Sequence, residues 1–97
     1  MTNTIKLLPI VNEFAENKDL AKQIRVEQID PLIKKGDEVI LDFSGINSAT
    51  QSFVHALISD LIRKYDEDLF DLLIFKNCSD TVKEIINIVI DYMMERE

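Results

Sequence analysis

Two stretches of the sequence carry apolar residues at every third or fourth position, which is the spacing of one face of an α-helix. The stretch nearer the carboxyl end has its apolar residues at Val82, Ile85, Ile86, Val89, Ile90 and Met93. The other has them at Val54, Leu57, Ile58, Leu61 and Ile62. The pattern predicts a last helix that begins near Ser79 or Asp80, either of which suits an N-cap, and an earlier helix that ends near Tyr65.

Three short apolar runs without a helical period predict β-strands. Residues 39–41 form the central run, Val-Ile-Leu, which lies between the two glycines of the chain. Residues 69–75 form a later run, and residues 4–11 form the first one. Because Pro9 has no amide proton, the first strand is expected to lie at a sheet edge or to end early.

The segment between the first two strands predicts a connection followed by helical residues. The connection covers residues 12–18, and Phe14 is expected to pack inward from it. Asp19 is the predicted N-cap of a helix over about residues 20–28. Pro31 then predicts a kink or the start of a second short helix, since the residue before a proline resists helical geometry while proline suits a first turn.

Strands and helices alternate along the chain in the order β-α-β-α-β-α, with no internal repeat and no linker. This alternation predicts an α/β fold with a small, mainly parallel or mixed sheet and helices packed on it. At 97 residues, the chain is predicted to form a single domain over residues 1–97. A sheet this small is expected to have helices on one face. Its uncovered edge leaves pairing with another chain, and hence a homo-oligomer, as an alternative.

Charge and cysteine content exclude several classes of function. The chain has 18 acidic and 11 basic residues and a net charge of −7, which disfavours nucleic acid and anionic membranes as partners. Its one cysteine can form neither an internal disulfide nor a thiolate metal cluster, and this fits a reducing cytoplasm. No apolar run is long enough to span a bilayer. We therefore expect a cytoplasmic domain without a metal or other cofactor.

A polar segment with three hydroxyl side chains, Ser48, Thr50 and Ser52, precedes the helix that ends near Tyr65. Ser48 and Gln51 match a capping box, in which the Ser48 side chain reaches the amide of Gln51 and Gln51 reaches back. One helix needs only one cap, so Thr50 and Ser52 are open to a second role. That role is a phosphoacceptor, because a phosphate there would meet unpaired amides and the positive end of the helix dipole.

His55 and Asp42 are the remaining candidates for chemistry. His55 is the only histidine and lies one turn beyond Ser52, which raises the hypothesis of a small hydrolase built on these two residues. A triad also needs an orienting acid, and no convincing one is found in the sequence. Asp42 ends the central strand and has no second carboxylate at ligand spacing. It is expected to support the turn with Ser44 and Gly45 rather than to bind a metal.

Residues 39–46, Val-Ile-Leu-Asp-Phe-Ser-Gly-Ile, followed by a short polar stretch, Gln51-Ser52-Phe53 and an apolar helix, resemble the STAS-like domains. These are a bacterial branch related to the anti-sigma-factor antagonists. In the antagonists the strand ends in Asp-Leu-Ser-Gly-Val, and the loop ends in Asp-Ser-Ser-Gly before an amphipathic helix. The resemblance, which covers about residues 35–93, implies a STAS-like fold and a non-enzymatic regulatory module.

The resemblance also implies a partner and a site. A serine in the antagonist loop is phosphorylated by a histidine-kinase-like ATPase, so such an ATPase is the implied partner, bound at residues 48–55. By position, Gln51 replaces the serine that is usually modified, and Ser52 matches the second serine. Phe53 replaces the glycine that follows, which is expected to add bulk where the partner approaches. The alternatives are a structural, self-associating subunit and the small hydrolase using Ser52 and His55.

Overall fold

The computed structural model describes residues 2–95. Its elements in chain order are β1 (Thr2–Lys6), α1 (Leu8–Val11), β2 (Phe14–Ala15), α2 (Lys18–Ile24), α3 (Asp30–Lys34), β3 (Glu38–Asp42), β4 (Ser48–Ala49), α4 (Gln51–Tyr65), α5 (Leu69–Leu72), β5 (Leu73–Lys76) and α6 (Asp80–Glu95). A π-helical turn (Arg25–Ile29) joins α2 to α3, and a 3₁₀ turn (Asp66–Asp68) joins α4 to α5.

The main sheet has three strands in the order β1-β3-β5. In its register Ile5 lies beside Leu41, and Leu41 lies beside Phe75. Both pairings are parallel, and a parallel pair needs a crossover connection. The segment of α2 and α3 supplies one crossover and α4 the other. The predicted α/β class and β-α-β-α-β-α order are therefore confirmed for the main sheet.

The helices cover one face of the main sheet. Successive side chains of a strand point to opposite faces, and in β3 Val39 and Leu41 are completely buried whereas Ile40 between them is partly exposed. Ile74, which lies beside Ile40 in β5, is 39% exposed. On the buried side α4 packs between α2 and α6, so the core lies between the sheet and this helical layer.

β1 is shorter than the predicted strand of residues 4–11. It ends at Lys6, and Leu8–Val11 form one helical turn that contains Pro9 near its start. Proline has a fixed φ and no amide proton, which suit a first helical turn better than a strand ladder. The early end that Pro9 predicts for this strand is confirmed.

The second sheet, which pairs β2 with β4, is absent from the sequence prediction. Phe14 lies beside Ser48 and Ala15 beside Ala49, again in parallel. The prediction that Phe14 packs inward is wrong, because it is 48% exposed while Ala15 is completely buried. Alternation along a strand can place only one of the two neighbours inside. This small sheet joins the segment before α2 to the segment before α4.

The helical segment after β2 begins earlier than predicted. Asn17, not Asp19, is the N-cap of α2, and its Oδ1 accepts hydrogen bonds from the amides of Asp19 at 2.9 Å and Leu20 at 3.1 Å. The predicted kink is confirmed by the π-helical turn and by α3, which has a proline in its first turn. Asp30 of α3 accepts a hydrogen bond from the Tyr65 hydroxyl at 2.5 Å. This bond lowers the pKa of Asp30 and joins α3 to the end of α4.

The prediction of one strand over residues 69–75 is wrong for its first half. Leu69–Leu72 form the helical turn α5, and β5 begins only at Leu73. The chain leaves α4 through Asp66, which has a φ of 56°, and the helical turns that follow bury Leu69 completely. A short apolar run has no period that distinguishes a helical turn from a strand.

The two long helices follow the predicted pattern. α4 ends at Tyr65 as expected. Ser79 caps α6, because its Oγ accepts a hydrogen bond from the Val82 amide at 3.1 Å. The buried residues of α6 are Val82, Ile86, Val89 and Met93. The stripe of apolar residues therefore forms the buried face of this helix.

Candidate functional site

The polar residues that follow β3 lie at the carboxyl edge of the main sheet. Oδ1 of Asp42 accepts hydrogen bonds from the Asn77 side-chain amide at 3.0 Å and from the Ser44 backbone amide at 2.9 Å. These bonds, with that of Asn77 the stronger cause, stabilise the carboxylate and lower the pKa of Asp42 to about 2. Gly45 follows with a φ of 82°. Asp42, Ser44 and Gly45 thus form a tight turn, and Asp42 also links it to the segment after β5.

The segment between this turn and α4, residues 46–50, is hydrogen-bonded to the chain around β2. The Asn47 amide donates to the Glu13 carbonyl at 2.8 Å, and the Thr50 amide donates to the Ala15 carbonyl at 2.9 Å. Backbone groups that are paired in this way hold a segment in one conformation. The start of α4 therefore rests on a fixed backbone rather than on a free loop.

Thr50 is the N-cap of α4. Its Oγ1 accepts a hydrogen bond from the Phe53 amide at 3.0 Å, and the helix begins at Gln51. The prediction that Ser48 caps the helix through a capping box with Gln51 is wrong, because Ser48 lies in β4 beside Phe14. A capping box on Thr50 would need Glu or Gln three residues later, where the chain has Phe53.

Replacing Thr50 with alanine is expected to lower the free energy of unfolding by about 0.5–2 kcal/mol, because the Phe53 amide loses its acceptor. Urea denaturation followed by circular dichroism measures the change. Ser48→Ala is the matched control, since it removes a hydroxyl from the same segment that caps no helix, and its effect is expected to stay within about 0.5 kcal/mol. A larger loss from Ser48→Ala than from Thr50→Ala would contradict the assignment of the cap.

An open depression, called the α4 depression below, lies beside the first two turns of α4. Its lining residues come from α2, α4 and α6 and are Lys18, Gln51, Ser52, His55, Ala56 and Tyr92. Gln51 and Ser52 are exposed, and Tyr92 is 69% exposed. The structure thus brings Gln51, Ser52 and His55 together on one accessible surface, whereas Ser48 and Thr50 lie outside it.

Phe53 does not belong to this surface. Its side chain is completely buried in the core. Consecutive residues of an α-helix are rotated by about 100°, so the residue after the exposed Ser52 can point into the protein. The prediction that Phe53 adds bulk where a partner approaches is therefore wrong, and we exclude it from the candidate binding residues.

A groove between α2 and α4 continues from the α4 depression and shares Lys18, His55 and Ala56 with it. The other residues that line this α2–α4 groove are Asp19, Lys22, Arg25, Ser59, Asp60 and Arg63. The groove therefore has four basic and two acidic side chains, on a chain whose net charge is −7. No prediction from the sequence placed a site here, although basic residues at positions 18, 22 and 25 share one helical face.

Two ion pairs lie among the residues that line the α2–α4 groove. Nη1 of Arg25 lies 2.8 Å from Oδ2 of Asp60, and Nη1 of Arg63 lies 2.6 Å from Oδ1 of the same carboxylate. The Arg25 side chain is only 12% exposed, so salt screens its pair with Asp60 less than it screens a fully exposed pair. This pair fixes the end of α2 against the middle of α4.

Other groups with catalytic or metal-binding chemistry do not gather at this site. Burial raises the pKa of the Cys78 thiol, which disfavours the reactive thiolate. Among residues 2–95, no group of three His, Cys, Asp or Glu side chains could hold a metal ion. No helix in the described part of the chain is long and apolar enough to cross a membrane.

The fold is a small α/β domain with three parallel strands and with helices over one face of the sheet. The exposed start of α4 follows the central strand. These features are typical of the STAS-like class. Residues 21–83 match the family described as a STAS-like domain of unknown function (DUF4325). The match covers more than half of the chain, so the chain belongs to this family and the resemblance is confirmed. No curated protein and no solved structure matches the chain. Membership of the family supports a regulatory protein-interaction role.

Proposed function

We propose that this domain is a non-enzymatic regulatory module that binds a partner protein through the α4 depression. The proposal rests on one observation: Ser52, His55 and Tyr92 lie together on one open, accessible surface. Small-molecule sites bury most of their ligand, whereas this surface is open to solvent. Tyrosine is also enriched at protein interfaces, because its ring supplies contact area and its hydroxyl a hydrogen bond. The cap at Thr50 holds the surface in place.

The partner that we propose is a histidine-kinase-like ATPase, and Ser52 is the proposed switch. Support for the partner comes from the resemblance to the anti-sigma-factor antagonists, which bind such an ATPase through the equivalent loop and helix start. Ser52 is exposed in the first turn of α4 and shares its depression with Lys18. A phosphate on Ser52 would lie at the positive end of the helix dipole and near this cation. It would reverse the local charge without a change of fold.

A small hydrolase using Ser52 and His55 is the weaker candidate. No hydrogen bond joins these two side chains within the residues that the structure describes. Among the described residues no carboxylate lines the α4 depression, and Asp19 and Asp60, which line the α2–α4 groove with His55, make no hydrogen bond to it. A catalytic triad requires a nucleophile, a base and an orienting group within hydrogen-bond reach.

The test is a pull-down with the tagged full chain from a lysate of the source organism, with bound proteins identified by mass spectrometry. It compares the wild type with Ser52→Asp and with Thr81→Asp. Thr81 is the matched control, because it is the exposed second residue of α6 as Ser52 is of α4, so both changes place a carboxylate at the same helical position. We expect Ser52→Asp, but not Thr81→Asp, to reduce recovery of the ATPase by about tenfold.

Equal recovery of the ATPase by all three proteins would keep the partner and remove Ser52 as the control point. Recovery of the domain alone would contradict the proposal and favour the self-associating subunit. An esterase activity of the purified chain that Ser52→Ala abolishes would favour the hydrolase instead.

A further inference from the structure

We propose that the α2–α4 groove binds an acidic segment of the partner protein, one that carries several carboxylates in succession. This inference rests on the proposed partner-binding function and specifies the chemistry of the partner beside Ser52. Lys18, His55 and Ala56 line both the groove and the α4 depression. The two surfaces are therefore continuous, and a partner that covers Ser52 can also contact the groove.

The groove concentrates positive charge on an acidic chain. Its basic side chains are Lys18, Lys22, Arg25 and Arg63, and its acidic ones are Asp19 and Asp60. The whole chain has a net charge of −7, so the surface outside the groove is more acidic than the chain as a whole. A partner segment of negative charge meets attraction here and repulsion over the rest of the surface, which determines where it docks.

The basic residues of α2 and of the turn that follows it form a row rather than a ring. Lys18, Lys22 and Arg25 are separated by four and three residues, which correspond to steps of about 6 Å and 4.5 Å along a helix. A single phosphate is held by donors that converge on it. A row instead matches carboxylates repeated along a partner helix or strand, whose side chains on one face recur about every 6–7 Å.

Asp60 shows how the groove holds a carboxylate. Each of its two oxygens lies within 2.8 Å of a different guanidinium, that of Arg25 or that of Arg63. A guanidinium has five N–H donors, and Asp60 contacts only one nitrogen of each arginine. Because the Arg63 side chain is 53% exposed, its remaining donors are accessible to a second carboxylate.

A long polyanion and a second copy of the chain fit the groove less well. A nucleic acid would extend beyond the groove over the acidic remainder of the surface, where repulsion acts within about 8 Å at physiological salt. Two copies would bring together two chains that each have a net charge of −7. A short acidic segment confined to the groove avoids both repulsions.

The experiment measures fluorescence anisotropy of a labelled poly-glutamate peptide on titration with the purified full chain. The peptide is about five residues long, so that at roughly 3.3 Å per residue it spans the row of about 10 Å without extending far over the acidic surface. The groove variant is Lys18→Glu/Lys22→Glu. The matched control is Lys34→Glu/Lys35→Glu, which changes two exposed lysines at the end of α3 and has the same formal net charge. Circular dichroism checks that both remain folded.

We expect the groove variant to weaken peptide binding by about tenfold or more, and the control by less than about threefold. Salt at about 1 M, where the Debye length is about 3 Å, is expected to abolish binding of the wild type. In ¹H–¹⁵N spectra the peptide is expected to shift resonances of α2 and α4. Equal weakening by the two variants would overturn the proposal, because net charge rather than the groove would then govern binding.

Two other outcomes would also overturn the inference. Inorganic phosphate that displaces the peptide at equal concentration would show a simple anion site. A wild-type dimer in sedimentation velocity that only Lys18→Glu/Lys22→Glu dissociates would show that a second copy occupies the groove.

The peptide titration needs no partner, so its result is separate from that of the pull-down. Peptide binding in the groove without recovery of an ATPase would contradict the proposed function but support the inference that the groove binds acidic segments. If Lys18→Glu/Lys22→Glu recovered the ATPase as well as its control while Ser52→Asp did not, the groove inference would fail and the proposed function would stand.

Discussion

Replacing Phe53 with alanine is expected to lower the free energy of unfolding by about 3–5 kcal/mol. The ring is completely buried, so its truncation removes apolar surface from the core and leaves a cavity that close-packed neighbours fill only in part. Domains are typically stable by about 5–15 kcal/mol, so the loss is a large part of the total. Urea denaturation followed by circular dichroism is expected to show a much lower midpoint.

Ser52→Ala is the matched control for this prediction. Ser52 directly precedes Phe53 in α4 but is exposed, and its truncation is expected to change the free energy of unfolding by no more than about 0.5 kcal/mol. The two variants therefore separate the buried side of the first helical turn from its exposed side. A Phe53→Ala protein that kept wild-type stability but lost the partner would place Phe53 on the binding surface and refute its assignment to the core.

Replacing Gly45 with alanine is expected to lower the free energy of unfolding by about 2–4 kcal/mol, through two effects. Gly45 has a φ of 82°, a region that costs energy for a residue with a Cβ atom. An added Cβ would also lie 2.7 Å from Cδ2 of Leu8, so the leucine must move. Because Gly45 forms the turn that leads from β3 to the start of α4, thermal unfolding of the variant reports how firmly this turn is held.

Gly36→Ala separates the two effects. Gly36 has a nearly equal φ of 85°, but an added Cβ there would meet nothing within 4 Å. Gly36→Ala is therefore expected to lower the free energy of unfolding only through the unfavourable backbone conformation, by about 1–2 kcal/mol. Leu8→Ala combined with Gly45→Ala is expected to remove the steric part of the Gly45 effect in a double-mutant cycle. Equal losses of unfolding free energy at the two glycines would show that the Leu8 side chain moves aside without an energetic penalty.

The candidate site could be predicted in part from the sequence. The start of α4, its exposed Ser52 and its half-buried His55 follow from the apolar stripe of this helix, since the stripe defines the opposite face. The cap could not be chosen in the same way, because Ser48 and Thr50 are both suitable residue types. Pairing of β4 with β2 places Ser48 in a strand and leaves Thr50 at the helix start.

The α2–α4 groove could not be predicted from the sequence, for a different reason. Lys18 and Lys22 lie on α2, while Arg63 lies near the end of α4, far away in the sequence. Each helix alone has only a few exposed basic residues, which are ordinary on a solvated face. Their common surface exists because α2 and α4 pack against each other, with Arg25 and Asp60 paired across the contact.

The sequence by itself determined the long helices α4 and α6, the central strand β3 and the alternation of strands and helices that makes an α/β fold. These features follow from local periodicity and from the alternation of elements, which act over neighbouring residues. Only the tertiary structure decided that Phe14 is exposed and that Leu69–Leu72 are helical. It also decided which hydroxyl caps α4 and which cations meet in one groove. Those outcomes depend on contacts between distant segments, β2 with β4, α2 with α4 and α5 with β3, which no local pattern of residues specifies.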